Sequence, residues 1–137
     1  MAPAKPRVLF VCVENANRSQ MAEAFARMHG ADAVEVFSAG SRPSGIIKPR
    51  AIAGMAERGY DLTTHRSKSL DEVPPGPYEW VVTMGCGDDA CPAFIGKPLV
   101  DWDLPDPKGK DLDTFREVRD DIEHLVRALL KDRGIRV

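Results

Sequence analysis

Apolar and polar positions along the chain follow two rhythms. Four short runs are apolar almost without interruption: 7–13 (RVLFVCV), 33–39 (AVEVFSA), 79–84 (EWVVTM) and 97–102 (KPLVDW). Their β-branched and aromatic content predicts strands buried on both faces, as in a parallel sheet. Elsewhere apolar residues recur every three or four positions, the helical rhythm. One such stretch runs from Arg18 to His29, with Met21, Ala22, Phe25 and Met28 on one face and Gly30 as its stop. A second covers Pro49 to Arg58, with proline suited to the first turn and Gly59 at the end. A short third is expected after Ser67. The last and clearest covers Leu112 to Arg133, with Leu112, Phe115, Val118, Ile122, Leu125 and Leu129 in one stripe.

Strands that alternate with helices imply right-handed crossovers. The expected fold is therefore α/β: a small, open, doubly wound, four-stranded parallel sheet with helices on both faces. Residues 1–137 suffice for one domain with a real core, and no repeat or long linker divides them. In such sheets ligands bind beyond the carboxyl ends of the strands, where strand order reverses. The first strand ends at Cys12 or Val13, which directs attention to the stretch that follows.

Composition narrows the setting. A hydrophobic fraction of 43% and a charged fraction of 29% describe an ordinary globular protein. The formal net charge of -2 gives no field that would gather nucleic acid or acidic lipid, so neither is expected as a partner. Glu14, Asn15 and Arg18 break the apolar run near the start, against a signal peptide. No segment approaches the roughly 20 apolar residues of a membrane span. Three cysteines, an odd number, fit a cytoplasmic protein with working thiols better than a secreted disulfide framework. A cytoplasmic monomer is expected.

The segment CVENANRS places Cys12, five residues, then Arg18 and Ser19. Five residues between a strand end and a helix start can wrap so that successive N–H groups face inward as an anion nest. Val13, Glu14, Asn15, Ala16, Asn17, Arg18 and Ser19 would form that nest, and the helix beginning near Arg18 adds its free amides and positive end. Arg18 supplies a planar fork matched to two oxygens of phosphate or arsenate. A thiol in such a field loses its proton readily, and Ser19 can donate to the resulting sulfur anion. Asn15 and Asn17 tolerate left-handed backbone. Glu14 is expected to point to solvent. Taken alone, C-x5-R also fits a structural cysteine before an ordinary helix. The preceding strand, the following helix and the adjacent Arg-Ser favour a nucleophile that meets a tetrahedral oxyanion.

These residues resemble the low-molecular-weight protein tyrosine phosphatase superfamily, and C-x-x-N-x-x-R-S-Q-M-A-E is similar to its arsenate reductase branch. The resemblance extends over nearly the whole chain. It implies a general acid in an Asp-Pro dipeptide on the loop after the fourth strand, which matches Asp106-Pro107 in DWDLPDPKG. In the tyrosine phosphatases an aromatic residue typically follows. Here Lys108 follows, against a phosphotyrosine pocket.

The stretch VVTMGCGDDACPAF carries the other two thiols, Cys86 just beyond the third strand and Cys91 five positions later. In a helix their Cα atoms would lie about 8–9 Å apart. A disulfide needs roughly 4.4–6.8 Å, so bridging them would require local unwinding, which Gly85 and Gly87 make easy. The resemblance implies a relay. Cys12 attacks arsenate, Asp106 protonates the departing oxygen, Cys86 attacks Cys12 as arsenite leaves, and Cys91 attacks Cys86 to export a disulfide. No cofactor is bound. An external thiol reductant completes the cycle, either thioredoxin or a mycothiol-type small thiol with glutaredoxin. TMGCGD…CP resembles members that use the small thiol, so both stay open. The pair also fits an inert turn or, with His65 or His29, a zinc site, for which C-x4-C is an uncommon spacing.

Ser38, at the end of the second strand, and His65, Arg66, Ser67 and Lys68 complete the neighbourhood. One branch of the reductases holds potassium behind the loop, and Asn15, Glu23 and Ser38 match ligands there. Where that branch continues with an acidic residue this chain has Lys68, whose charge would replace the ion, so no metal is expected. Arg66 and Ser67 read as a solvated loop, and His124 as surface. Arsenate reduction is the favoured reading, with phosphate or sulfate as competing anions. A tyrosine phosphatase using Cys12, Arg18 and Asp106 and a non-catalytic oxyanion sensor are the alternatives.

Overall fold

A computed structural model describes residues 5–12, 14–74, 78–84, 99–102, 104 and 109–135. Four strands, β1 (Arg7–Cys12), β2 (Glu35–Gly40), β3 (Trp80–Thr83) and β4 (Leu99–Asp101), form one sheet in the order β2-β1-β3-β4. Every neighbouring pair is parallel. Chain order runs outward in opposite directions from β1, so the strand order reverses beside it.

β1 is central, and its alternation decides where the chemistry lies. Val8, Phe10 and Cys12 point into the larger core cluster, with Met21 and Phe25 of α1 (Arg18–Gly30), Met55 of α2 (Pro49–Ala56) and Phe115 of α3 (Leu112–Asp132). Leu9 and Val11 point to the other face, where Ala39, Val73, Tyr78 and Val81 join them. Because side chains alternate along a strand, the last residue of β1 lies on the face that α1 covers. The first turn of α1 therefore returns directly over Cys12.

The expected elements are present, with shifted ends. β2 begins at Glu35 because Ala31–Ala33 turns as a 3-10 segment, and α2 stops at Ala56. The short helix expected after Ser67 is a single 3-10 turn, Leu70–Glu72, closed by a reciprocal Ser69–Glu72 capping box. Asp111 caps α3, accepting from the Thr114 N–H at 2.8 Å. The buried face of α3 runs through Phe115, Val118, Ile122, Val126 and Leu130, whereas Leu112, placed in the stripe on sequence grounds, is 45% exposed. Arg119 and Glu123 are buried on the same helix because ion pairs with its neighbours satisfy them.

Candidate active site

Between Cys12 and Arg18 the chain turns at the carboxyl edge of the sheet. Asn15 has φ of 50° and is fully buried, so the left-handed conformation expected for this loop occurs at Asn15. The neighbouring segment pins the loop from outside. The Lys48 N–H donates to Ala16 O (2.9 Å), the Ser44 N–H to Glu14 O (3.1 Å) and the Ser67 hydroxyl to Glu14 O (2.8 Å). The Glu14 carboxylate turns outward, 40% exposed and 3.6 Å from Lys48 Nζ.

Cys12 Sγ lies 2.8 Å from Ser19 Oγ, both buried. Ser19 also accepts from Asn15 Nδ2 at 2.8 Å. With that lone pair filled, the serine proton is free to point at the Cys12 sulfur. The orientation of Asn15 follows from its partners. Its Oδ1 accepts from Gln20 Nε2 (2.9 Å) and from the Lys68 N–H (3.0 Å), so the amide nitrogen faces Ser19 and Ser38.

The same logic extends outward. Gln20 is wholly buried, and its Oε1 lies 2.9 Å from His65 Nδ1, which places the proton on that nitrogen. His65 Nε2 is left to accept from the Tyr60 hydroxyl at 2.6 Å. Burial pushes His65 below its usual range, consistent with a neutral ring. Each link donates inward: Tyr60 to His65, His65 to Gln20, Gln20 to Asn15, Asn15 to Ser19, Ser19 to sulfur. A chain of dipoles aligned this way polarises toward negative charge at its inner end.

A charged branch joins at Ser38, which accepts from Asn15 Nδ2 (3.1 Å) and Lys68 Nζ (3.3 Å) and donates to Glu23. Lys68 Nζ is 3.7 Å from Glu23 Oε1, and Arg27 pairs with Glu23 Oε2 at 2.9 Å. Burial pushes the Lys68 ammonium below the ordinary lysine range while Glu23 pulls it back. The ammonium thus lies among the oxygens of Ser38 and Glu23, two of the three residues matched to potassium ligands.

Arg18 is buried, and its Nη1 donates to Leu104 O at 3.1 Å. That bond ties the start of α1 to the segment after β4, two residues before Asp106. Val13, Cys86, Cys91, Asp106 and Lys108 lie outside the described residues. Hydrogen bonds link Cys12, Ser19 and Asn15, Arg18 opens α1 beside Ser19, and Glu14, Ala16 and Asn17 lie in the same loop. Sequence reasoning assigned no role to Tyr60 and no structural partner to Gln20. A glutamine in the first turn of an otherwise apolar helix face was the available signal.

Residues 7–134 match the low molecular weight phosphotyrosine protein phosphatase family. The chain belongs to that family. Within it, a glutaredoxin arsenate reductase of Synechocystis sp. is 37% identical over 126 residues, 90% of this chain and 95% of that protein. A solved arsenate reductase in the phosphate binding state superimposes with a TM-score of 0.84 at 36% identity, covering 93% of this chain and 98% of the other. A Corynebacterium glutamicum thioredoxin-dependent arsenate reductase gives a TM-score of 0.77 at 36% identity, over 96% of this chain and 63% of that one. Among the described residues of this family member, no helix is long and apolar enough to cross a membrane.

Proposed function

We propose that the chain reduces arsenate to arsenite, with Cys12 as the nucleophile. One observation carries the reading: a buried cysteine sulfur at the carboxyl end of β1, 2.8 Å from a serine that heads an inward-donating chain. Such a site stabilises a sulfur anion and the oxyanion it meets. The likeness to arsenate reductases over most of the chain supports arsenate as the guest. Backbone amides of 13–19 and the Arg18 fork hold the oxyanion, and Ser19 holds the thiolate. Lys68 supplies the positive charge behind the loop that a bound cation would otherwise bring, and no metal takes part.

Cys12 displaces one oxygen, which Asp106 protonates and which leaves as water. Cys86 then attacks Cys12: the sulfur–sulfur bond forms, the arsenic–sulfur bond breaks, and its electron pair stays on arsenic as arsenite. Cys91 attacks Cys86, frees Cys12, and leaves a Cys86–Cys91 disulfide for an external thiol reductant. The protein works in the cytoplasm as a monomer, in arsenical detoxification.

Arsenite release with thioredoxin and its reductase, measured beside glutaredoxin with a small thiol, tests this. Cys12→Ser should abolish turnover with either system, and Cys86→Ser or Cys91→Ser turnover with thioredoxin. Undiminished turnover in Cys12→Ser would end the proposal. The family membership also favours a second reading, phosphomonoester hydrolysis through Cys12, Arg18 and Asp106. Aryl phosphate hydrolysis without arsenite production would favour it.

A further inference from the structure

Along the outer face of α3 the charges are sorted by sign. Glu117, Asp120 and Asp121 stand on its first half, Arg127 and Lys131 on its second, and His124 and Ala128 complete the row; all are exposed. At 3.6 residues per turn these positions share one face of the helix, opposite the buried stripe of Phe115, Val118, Ile122, Val126 and Leu130. Glu117, His124 and Lys131 are seven residues apart, two turns each, and form its central line. Among the described residues, Glu117, Asp121, Arg127 and Lys131 have neither a hydrogen bond nor an ion pair. Asp120 meets Arg119 and Arg58 at the edge of the row.

This order is unfavourable for a lone helix. Glu117 and Asp121 are four apart, as are Arg127 and Lys131, and like charges at that spacing repel. The helix dipole does not account for the sorting. Its influence is confined to the first and last turns, whereas Asp121 and Arg127 lie in the middle of Leu112–Asp132. A reversed copy of the same helix removes the conflict. About a twofold axis at His124, Glu117 faces Lys131 of a second copy, and Asp120 and Asp121 face the basic half of that copy. Symmetry then makes every such pairing twice. The short Ala128 leaves a hollow of about 440 Å³, lined by Asp120, Glu123, His124, Arg127, Ala128 and Lys131, into which an acidic side chain of the copy can reach. A net charge of only -2 leaves little overall repulsion between two chains.

We propose that the outer face of α3 is a self-complementary docking surface on which two copies of the chain pair antiparallel about His124, held by charge. The inference stands independently of the arsenate-reductase reading. One helix face without an apolar centre is smaller and more polar than a standard interface. Ion pairs that remain open to water contribute little each. The pairing is therefore transient, salt-sensitive and confined to concentrated protein, and the dilute chain remains the monomer described above.

Sedimentation equilibrium of the full chain tests the pairing, with thiols kept reduced so that no intermolecular disulfide contributes. At an ionic strength of roughly 0.01 M, where charges act across about 30 Å, the apparent mass should rise with concentration toward that of a dimer. At roughly 1 M, where their range is about 3 Å, it should stay at the monomer. Lys131→Glu and Glu117→Lys, both at exposed positions, should each turn attraction into repulsion and weaken self-association about 10-fold or more. Mixed together, the two variants should pair with each other, because one presents only acids and the other only bases at 117 and 131. Glu117→Lys/Lys131→Glu in one chain should restore self-association. These positions are fourteen residues apart on one helix, about 21 Å, so the restoration cannot arise within a single copy. A monomer at every concentration at low salt overturns the proposal. So does association that the single substitutions leave unchanged, or that neither the mixture nor the double substitution restores.

Discussion

Two charged networks among the described residues differ in what surrounds them. Behind the anion loop, Asn15, Ser19, Gln20, Ser38 and Glu23 are all buried, and their polar atoms bond mainly to one another. On the outer face of α2 and α3, Glu57 pairs with Arg116 at 2.7 Å and with Arg119 at 2.5 Å, yet its side chain is 41% exposed. Both look dense in side-chain charge. Where water is excluded, hydrogen-bond direction is forced and the network orients one sulfur. Where water competes, the pairs are interchangeable and their contribution is small. Arg119 bridges the two regimes, since its buried guanidinium also donates to Gly54 O at 3.1 Å and so fixes the close approach of α2 to α3.

Substitutions should rank the two networks. The largest effect is expected for Asn15→Ala, which leaves Ser19, Ser38, Gln20 and the Lys68 N–H each short of a partner. Unfolding in urea should show a loss of about 3 kcal/mol, and arsenite production should fall about 100-fold. A near-neutral outcome would mean that the loop is organised by its outer pins alone. Lys68→Met removes one of the two cations on Glu23 and should cost about 2 kcal/mol, less than full isolation of the carboxylate because Arg27 remains. Unchanged stability would place Lys68 with the exposed class.

His65 should appear in the pH dependence. Burial holds its folded value below the usual 6.5, so the unfolded chain takes up the proton first. Stability should therefore be constant above about 6.5 and fall as pH drops below that value. His65→Gln should flatten this slope in thermal melts between pH 7 and 5. The smallest effect belongs to Glu57, which Arg116 and then Arg119 hold down to about 2 from 4.5. A depressed carboxylate contributes above its unfolded value, and the contribution is lost as pH falls from 4.5 through 2. Glu57→Gln should lower stability slightly and evenly above pH 4.5, the difference from the unsubstituted protein should vanish through the acid limb, and added salt should shrink it.

Much of this was legible in the chain because it is local. Strand runs and helical stripes are periodic within a few residues, and the loop from Cys12 to Ser19 is contiguous. Leu112 was misplaced because the cap at Asp111 starts α3 at Leu112, whereas the buried face of the helix begins only at Phe115. The inward chain was hidden for a different reason. Gln20 and His65 are 45 positions apart, and their bond depends on rotamers that packing sets. Arg119 and Glu123 were hidden likewise, since a buried charge reads as a solvent-facing one until its partners on other helices are known. The likeness of Asn15, Glu23 and Ser38 to a cation site pointed to the cluster, whose hydrogen-bond direction is set by packing between distant segments.

The most direct measurement is the rate at which iodoacetamide modifies Cys12 near neutral pH in Cys86→Ser/Cys91→Ser, where it is the sole remaining thiol. Arsenate, phosphate or sulfate should each slow that modification in a saturable way, and Asn15→Ala should weaken the protection. Modification at the same rate with and without these anions would contradict the account.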